Sequence, residues 1–379
     1  MTNIAFVSNV LYPFITGGAE KRIYEIGKRL TNQAHDVTIY GRHYWDGPME
    51  MTYEGMTLRA VSPERELYTN DDGRRSITEA LEFSKDVVVP LRRHIDEHDV
   101  VVASVFPYFP VLATKLASLR TNTPLVTTWH EVWRTYWEDY LGYLAPFGKT
   151  FEYATARVPQ HPIAVSKLTG SRLAEIGPKQ SNIRTVPNGI DYEQIRNTPP
   201  AEDGFDILFA GRLIEDKRVD ILLRAFEEVA SDETTLGIIG DGPEREELET
   251  LAGSLTMAEQ ITFTGFLEEY DDVLAQMRTA SIFATPSTRE GFGITAAEAM
   301  AADCIVIGAD HPDSAVGEVI GDAGFLAEPT VDGVAIVLDE VLAGTQPSTD
   351  PLERAKRFDW DQVADDALEA YRAAAAGEW

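Results

Sequence analysis

Cysteine is almost missing from this sequence. Cys304 is the only one in 379 residues, so neither an internal disulfide nor a cysteine metal cluster can form. It lies in the apolar run Cys304-Ile305-Val306-Ile307 and is expected to act as a small core hydrophobe. Basic residues are scarce as well. There are 33 Lys and Arg against 62 Asp and Glu, a formal net charge of −29. A field of that sign repels nucleic acid and anionic headgroups, which counts against a nucleic-acid partner. No uninterrupted apolar stretch reaches the ~18 residues that would suggest a membrane span. The first residues show no basic n-region and no cleavage signal. The expectation is a soluble, cytoplasmic chain, with peripheral contact at the inner face of a membrane left open. Low-complexity tracts and short repeats are lacking too.

What is present is a regular apolar pattern. Hydrophobic residues make up 44% of the chain, which excludes disorder as the bulk state. The length suits two domains of ordinary size. The acidic residues are dispersed, as in 244–249 and 268–272, rather than gathered in a tail. They form either a solvated acidic surface or a halophilic adaptation, in which salt screens the charge. Sparse Lys and dense acids on helix faces favour the second.

Short β-rich runs alternate with helical patterns. Residues 4–8, 37–40, 100–104, 125–128 and 163–165 read as strands, and Ile23, Ile26, Gly27 and Leu30 recur at helical spacing. Asn197-Thr198-Pro199-Pro200-Ala201-Glu202-Asp203-Gly204 then has linker composition. The alternation restarts with strands at 206–210, 236–239, 261–263, 282–284 and 305–307, and with an apolar stripe of Val219, Leu222, Leu223, Phe226 and Val229. Strand-then-helix repetition implies parallel sheets with crossover helices. The reading is α/β, with two doubly wound Rossmann-like domains, 1–196 and 205–360. A last helix at 361–374 could pack on either domain. Ligands of such sheets bind at the carboxyl ends of the strands. Two facing domains would therefore place the site in the cleft between them.

Four groups of residues could carry chemistry. Gly17-Gly18-Ala19-Glu20 follows the first strand and opens a helix. It is either an anion loop at a helix N-terminus or a tight strand-to-helix turn. Gly211-Arg212 and Lys217 follow the strand at 206–210. Two cations at a strand's carboxyl end could neutralise a diphosphate, or they could form a surface salt bridge with Glu215 or Asp216. In the segment 286–301, Glu290 lies in a glycine turn and Glu298 stands eight positions later, about one turn inside a helix. The helix start at 293–295 offers free N–H groups to a phosphate, with a carboxylate on each side able to accept from sugar hydroxyls. Ribose, diphosphate and hexose have that layout. The alternative, an ordinary surface position for Glu298, fits poorly with flanking Ala296, Ala297, Ala299 and Met300. Finally, His130 follows a strand end, where it could be a base, a hydrogen-bond donor or structural. Beside it, Trp129, Trp133, Tyr136, Trp137, Tyr140 and Tyr143 are either core or an acceptor platform.

The segment 286–301 resembles the E-x7-E motif of family four of the retaining glycosyltransferases, which have the GT-B fold. Further markers occur in the family's order: Gly17-Gly18, His130, Ala164-Val165-Ser166, Pro187-Asn188-Gly189-Ile190-Asp191, Gly211-Arg212 with Lys217, and Gly240-Asp241-Gly242-Pro243. The resemblance implies an acceptor domain first and a donor domain second. It implies that Arg212 and Lys217 bind the donor diphosphate, Glu298 the ribose, and Glu290 the donor sugar. The backbone of Gly291, Phe292, Gly293, Ile294 and Thr295 would complete the cradle. Gly18 would contact phosphate from the opposite domain, Phe266 would lie near the base, and His130 would face the sugar. It further implies a hexosyltransferase that is retaining and needs no metal or other cofactor. Its partners would be a nucleotide-sugar donor and a sugar, lipid-linked or small-molecule acceptor. Two features depart from the family. Asp303 and Ile305 stand where it often has Gly and Pro, and the loop 309–317 lacks the usual paired glycines. The competing readings are a nucleotide-sugar epimerase on the same fold and a silent nucleotide-sugar-binding subunit.

Overall fold

A computed structural model describes residues 1–15, 17–65, 76–105 and 107–379. The chain divides into two compact units, Met1–Pro187 with Asp361–Trp379, and Asn188–Trp360.

The first unit is built on an eight-stranded sheet. Its strands are β1 (Asn3–Val7), β2 (Asp36–His43), β3 (Glu50–Tyr53), β4 (Met56–Pro63), β5 (Val100–Ser104), β6 (Leu125–Trp129), β7 (His161–Ala164) and β8 (Arg184–Thr185). The order is β3-β4-β2-β1-β5-β6-β7-β8. All pairs are parallel except β3 with β4. The central strands are buried on both faces, so Ile4, Ala5, Phe6 and Val7 read as one apolar run. β3 and β4 are absent from the sequence-based strands. β4 alternates buried Met56, Leu58, Ala60 and Ser62 with Thr57, Arg59 and Val61, which breaks its apolar run. The C-terminal helix belongs to this unit from Asp361 onward. Its Tyr371 ring meets Phe6 edge-on at 6.0 Å, and its Asp361 carboxylate accepts from Arg29 at 2.5 Å.

The second unit has a six-stranded parallel sheet. Its strands are β9 (Ile207–Ala210), β10 (Leu236–Ile239), β11 (Ile261–Gly265), β12 (Ile282–Thr285), β13 (Ile305–Ala309) and β14 (Gly324–Ala327). The order is β11-β10-β9-β12-β13-β14. The stripe read from sequence packs on the sheet: Val219, Leu222, Leu223 and Phe226 are buried in the helix Val219–Val229. Cys304 is fully buried, its Sγ donates to the Met277 carbonyl at 3.0 Å, and burial pushes its thiol up to about 12.

The join between the units falls after Pro187, not within 197–204. That Pro-Pro-Gly segment lies inside the second unit. Ala201 N–H donates to the Ala275 carbonyl at 3.1 Å, and the helix Tyr192–Asn197 buries Tyr192 and Ile195 there. Proline and glycine mark a turn; they do not tell whether the turn separates domains.

Candidate functional site

In the second unit the strand order reverses beside β9. β10 and β11 lie on one side, and β12, β13 and β14 on the other. At such a reversal the loops leaving the two flanking strands diverge and open a crevice at their carboxyl ends. Those loops are 211–217 and 286–293, two of the segments picked out in the sequence. They are tied together. Thr288 N–H donates to the Asp216 carbonyl at 2.9 Å. The Lys217 ammonium pairs with the Glu290 carboxylate, with only 19% and 16% of the two side chains exposed. Its partner is therefore neither Glu215 nor Asp216, but a carboxylate on the far side of the reversal. Arg212 is exposed, and among the described residues its guanidinium makes no hydrogen bond or ion pair.

The backbone around these side chains is tightly specified. Gly240 has φ +134°, and a Cβ there would overlap the Gly211 carbonyl oxygen. Only glycine permits this approach. The loop 240–243 thus lies directly on 211–213, with Leu213 N–H donating to the Asp241 carbonyl at 2.9 Å. Glu290 is held from behind. Its N–H donates to the Asp313 carbonyl at 3.2 Å, and its carbonyl accepts from Ala315 at 2.9 Å. Gly293, at φ +97°, starts the helix Ile294–Ala301 without a side-chain cap. The amides of Ile294 and Thr295 therefore stand at an uncapped helix N-terminus, where partial positive charge collects. Gly291 precedes this turn. Phe292 buries its ring against Phe358 at 5.4 Å, so it offers backbone rather than side chain.

Glu298 is only 6% exposed, and its Oε1 accepts from the Tyr270 hydroxyl. Burial, reinforced by the Glu298 charge, raises the Tyr270 phenol well above its ordinary value, so it stays a donor. Sequence spacing gives no sign of Tyr270, which opens a separate helix 28 residues before its partner. Phe266 follows Gly265 and is 73% exposed.

In the first unit, Gly17 is the extended residue before the helix Gly18–Asn32, which opens at Gly18. A Cβ on Gly17 would meet the Glu20 carboxylate, so a side chain of this chain lies over the turn. His130 follows β6. The residue is partly exposed, but its Nε2 is shut off from solvent and has no partner among the described residues. Burial, helped by the Arg22 charge, lowers the imidazole to about 3, so it is neutral at physiological pH. Arg22, absent from the sequence-derived candidates, is itself buried. Its guanidinium donates to the Val186 carbonyl at 3.1 Å and to the Pro187 carbonyl.

The aromatic residues around His130 do not form one surface. Trp129 and Trp137 are buried, Trp133 and Tyr140 pack against the same core, and Tyr143 is 91% exposed. Their centre is Glu152, with no exposure at all. It accepts from the Tyr108 hydroxyl at 2.9 Å and from the amides of Trp133 and Arg134 at 2.7 and 3.0 Å. A carboxylate can be buried only with such donors. Most of this cluster is therefore a folding device.

Comparisons with known proteins follow this division. Residues 16–194 match the family described as Glycosyltransferase Family 4, and residues 191–358 the family described as Glycosyl transferases group 1. The phosphatidyl-myo-inositol mannosyltransferase of Mycobacterium leprae is 30% identical over 57% of this chain and 61% of its own. The 2-deoxystreptamine glucosyltransferase of Streptomyces kanamyceticus is 28% identical over 46% and 51%. The match thus spans between half and two thirds of these relatives' length. Among solved structures, the sucrose-phosphate synthase of Thermosynechococcus elongatus shares the fold with a TM-score of 0.79, at 18% identity and full coverage of both chains. Anabaena HepE, solved with UDP and glucose, does so at 0.72 and 18% identity, over 98% of this chain and 100% of its own.

Proposed function

The chain belongs to the group 1 glycosyl transferases of family 4, and we propose that it moves a hexose from a nucleotide-diphosphate sugar to a hydroxyl group of an acceptor. One observation carries this reading: Lys217, Glu290 and an uncapped helix start meet where the strand order reverses. A cation and free amides suit a diphosphate, and a carboxylate beside them suits sugar hydroxyls. In this reading Arg212 and Lys217 hold the diphosphate, and the donor replaces part of the Lys217–Glu290 contact. Glu290 then turns to the sugar. The backbone from Gly291 to Thr295, together with Gly211, cradles the phosphates. Glu298, oriented by Tyr270, takes the ribose, and Phe266 lies by the base. Gly17 and Gly18 give a second phosphate contact, and His130 offers the sugar a neutral hydrogen-bonding group rather than a base.

Developing charge on the leaving diphosphate is met by Arg212 and Lys217, the electrostatic role a metal fills elsewhere. The proposed reaction therefore needs no metal. It keeps the anomeric configuration, with the departing phosphate taking the acceptor proton. The relatives' names point to acceptors of the glycolipid, polysaccharide or small-polyol kind. Thermal melting with UDP-, GDP- and ADP-sugars identifies the donor, because a bound ligand raises the midpoint. Arg212→Ala should then lose that shift and about 100-fold or more of donor turnover. Full turnover in this variant would remove the diphosphate assignment. NMR of the product distinguishes a transferred or hydrolysed sugar from an epimerised donor.

A further inference from the structure

With the residues after His130 largely committed to the core, the first unit still presents aromatic rings elsewhere on the carboxyl edge of its sheet. Phe14 comes from the loop after β1, and Tyr44 and Trp45 directly follow β2. The Phe14 and Tyr44 rings are nearly parallel, 17° apart with centroids at 6.2 Å, and Trp45 lies 6.1 Å from Phe14 at 35°. His43 meets Trp45 edge-on at 4.9 Å, and its Nε2 is buried without a hydrogen-bond partner among the described residues.

This arrangement is fixed from beneath. Leu11 packs on Gly41, where a Cβ would come within 2.7 Å of its methyl, so the β1 loop folds down onto β2. The Tyr44 hydroxyl donates to the Asn9 carbonyl at 2.9 Å, joining the two loops. Asn9 donates to Glu79 at 2.8 Å, and Glu79 is paired with a fully buried Arg42 at 2.6 Å. Arg42 is the residue before His43. A buried ion pair is a costly anchor, and here it holds two loops whose rings remain partly exposed. The Trp45 indole is set by its own bond to the Pro48 carbonyl at 2.8 Å.

We propose that Phe14, Tyr44 and Trp45 form a distal acceptor subsite that stacks a hexose ring of a neutral glycan, with His43 packed behind Trp45. The inference rests on the transferase reading and adds the acceptor's class. Aromatic faces bind the C–H faces of sugars. A neutral glycan meets no repulsion from a chain of net charge −29, whereas an anionic lipid surface does. In the sheet order β2-β1-β5-β6, the strands that lead into these rings stand two and three places from β6, which leads into His130, so the subsite is distal to His130. A sugar stacked here would be the far ring of an acceptor longer than one hexose.

Saturation-transfer NMR with gluco- and manno-oligosaccharides of one to three residues tests this. Signal is expected from all three sizes, concentrated on the terminal ring of the di- and trisaccharides. It should drop about fivefold in Phe14→Ala/Trp45→Ala and persist in Trp45→Phe. Donor-induced thermal shifts, unchanged in both variants, show that the fold and the donor site survive. Equal signal in wild type and the double variant overturns the subsite. So does no signal from any probe in a protein that still responds to donor, or vesicles of phosphatidylglycerol bound through these rings. Absence of any donor response in the wild type would instead overturn the transferase reading.

Discussion

His130 is an imidazole kept from its ordinary chemistry. Burial and the neighbouring Arg22 hold it near 3, against about 6.5 for a free histidine. Folded, it stays neutral; once unfolded, it takes up a proton below about pH 6.5. Its contribution to stability is therefore complete above that pH, shrinks as pH falls, and levels off below about 3. His98 behaves alike, lowered to about 4 by burial, its Nε2 sharing a proton with the Tyr40 hydroxyl at 2.8 Å. Replacing His130 with Gln removes one such proton uptake. Between about pH 7.5 and about pH 5.5, the loss of unfolding free energy should be smaller in the variant by on the order of 1 kcal/mol. Urea titrations at both pH values measure it, and parallel losses in the two proteins would show an ordinary, solvated imidazole. The same neutrality argues that His130 does not act as a general base near neutral pH, because a group at about 3 has little affinity for a proton.

The helix Ile294–Ala301 shows how an element can be readable at one end and obscure at the other. Its start follows from Gly293, since φ +97° suits glycine and leaves the first amides uncapped. Its end carries Asp303 at φ +81°, a left-handed residue just past the C-terminus and the place where the resembled family often has glycine. Asp303 tolerates this conformation but adds a negative charge beside the helix's negative end. Among the described residues its one ion pair, to Arg196 at 3.9 Å, is partly exposed and contributes little. Asp303→Gly should therefore stabilise the protein by about 0.5–1 kcal/mol, seen as a higher urea midpoint at unchanged slope. A lower midpoint would mean that the Arg196 pair outweighs the backbone strain. The same contrast runs through the fold. β9, β10 and β12 are legible because short apolar runs end in Gly or Pro-Ser, and those ends are where the site forms. β4 is hidden by its alternation, and Tyr270 by distance: nothing local tells a tyrosine which carboxylate it will meet. The Pro-Pro segment reads as a join because turn chemistry is the same inside a domain as between domains.

At the scale of the whole chain the excess of 29 negative charges acts through space rather than through single contacts. The C-terminal helix shows the local form of the problem. Asp361, Asp365 and Glu369 recur every four residues on its exposed face, a spacing at which like charges repel. Each has a partner in the first unit: Arg29 at 2.5 Å, Gln33 at 2.8 Å and Arg184 at 3.5 Å. Contacts of that length and the summed repulsion respond differently to salt. The screening length falls from about 10 Å at 0.1 M to about 3 Å at 1 M. Ion pairs at contact distance lose a smaller share of their attraction to added salt than charges set many ångströms apart lose of their repulsion. Repulsion among carboxylates spread over the surface acts over longer distances and is screened first. Salt should therefore raise stability on balance, as the high-salt reading of the composition requires. The thermal midpoint is expected to climb by about 5 °C or more between 0.1 and 2 M KCl, and equally in NaCl. Most of the rise should occur below 1 M, where the screening length changes most. A flat curve would mean that the acidic surface is merely solvated. A rise seen only with sulfate would assign the effect to exclusion of salt from the protein surface rather than to charge screening.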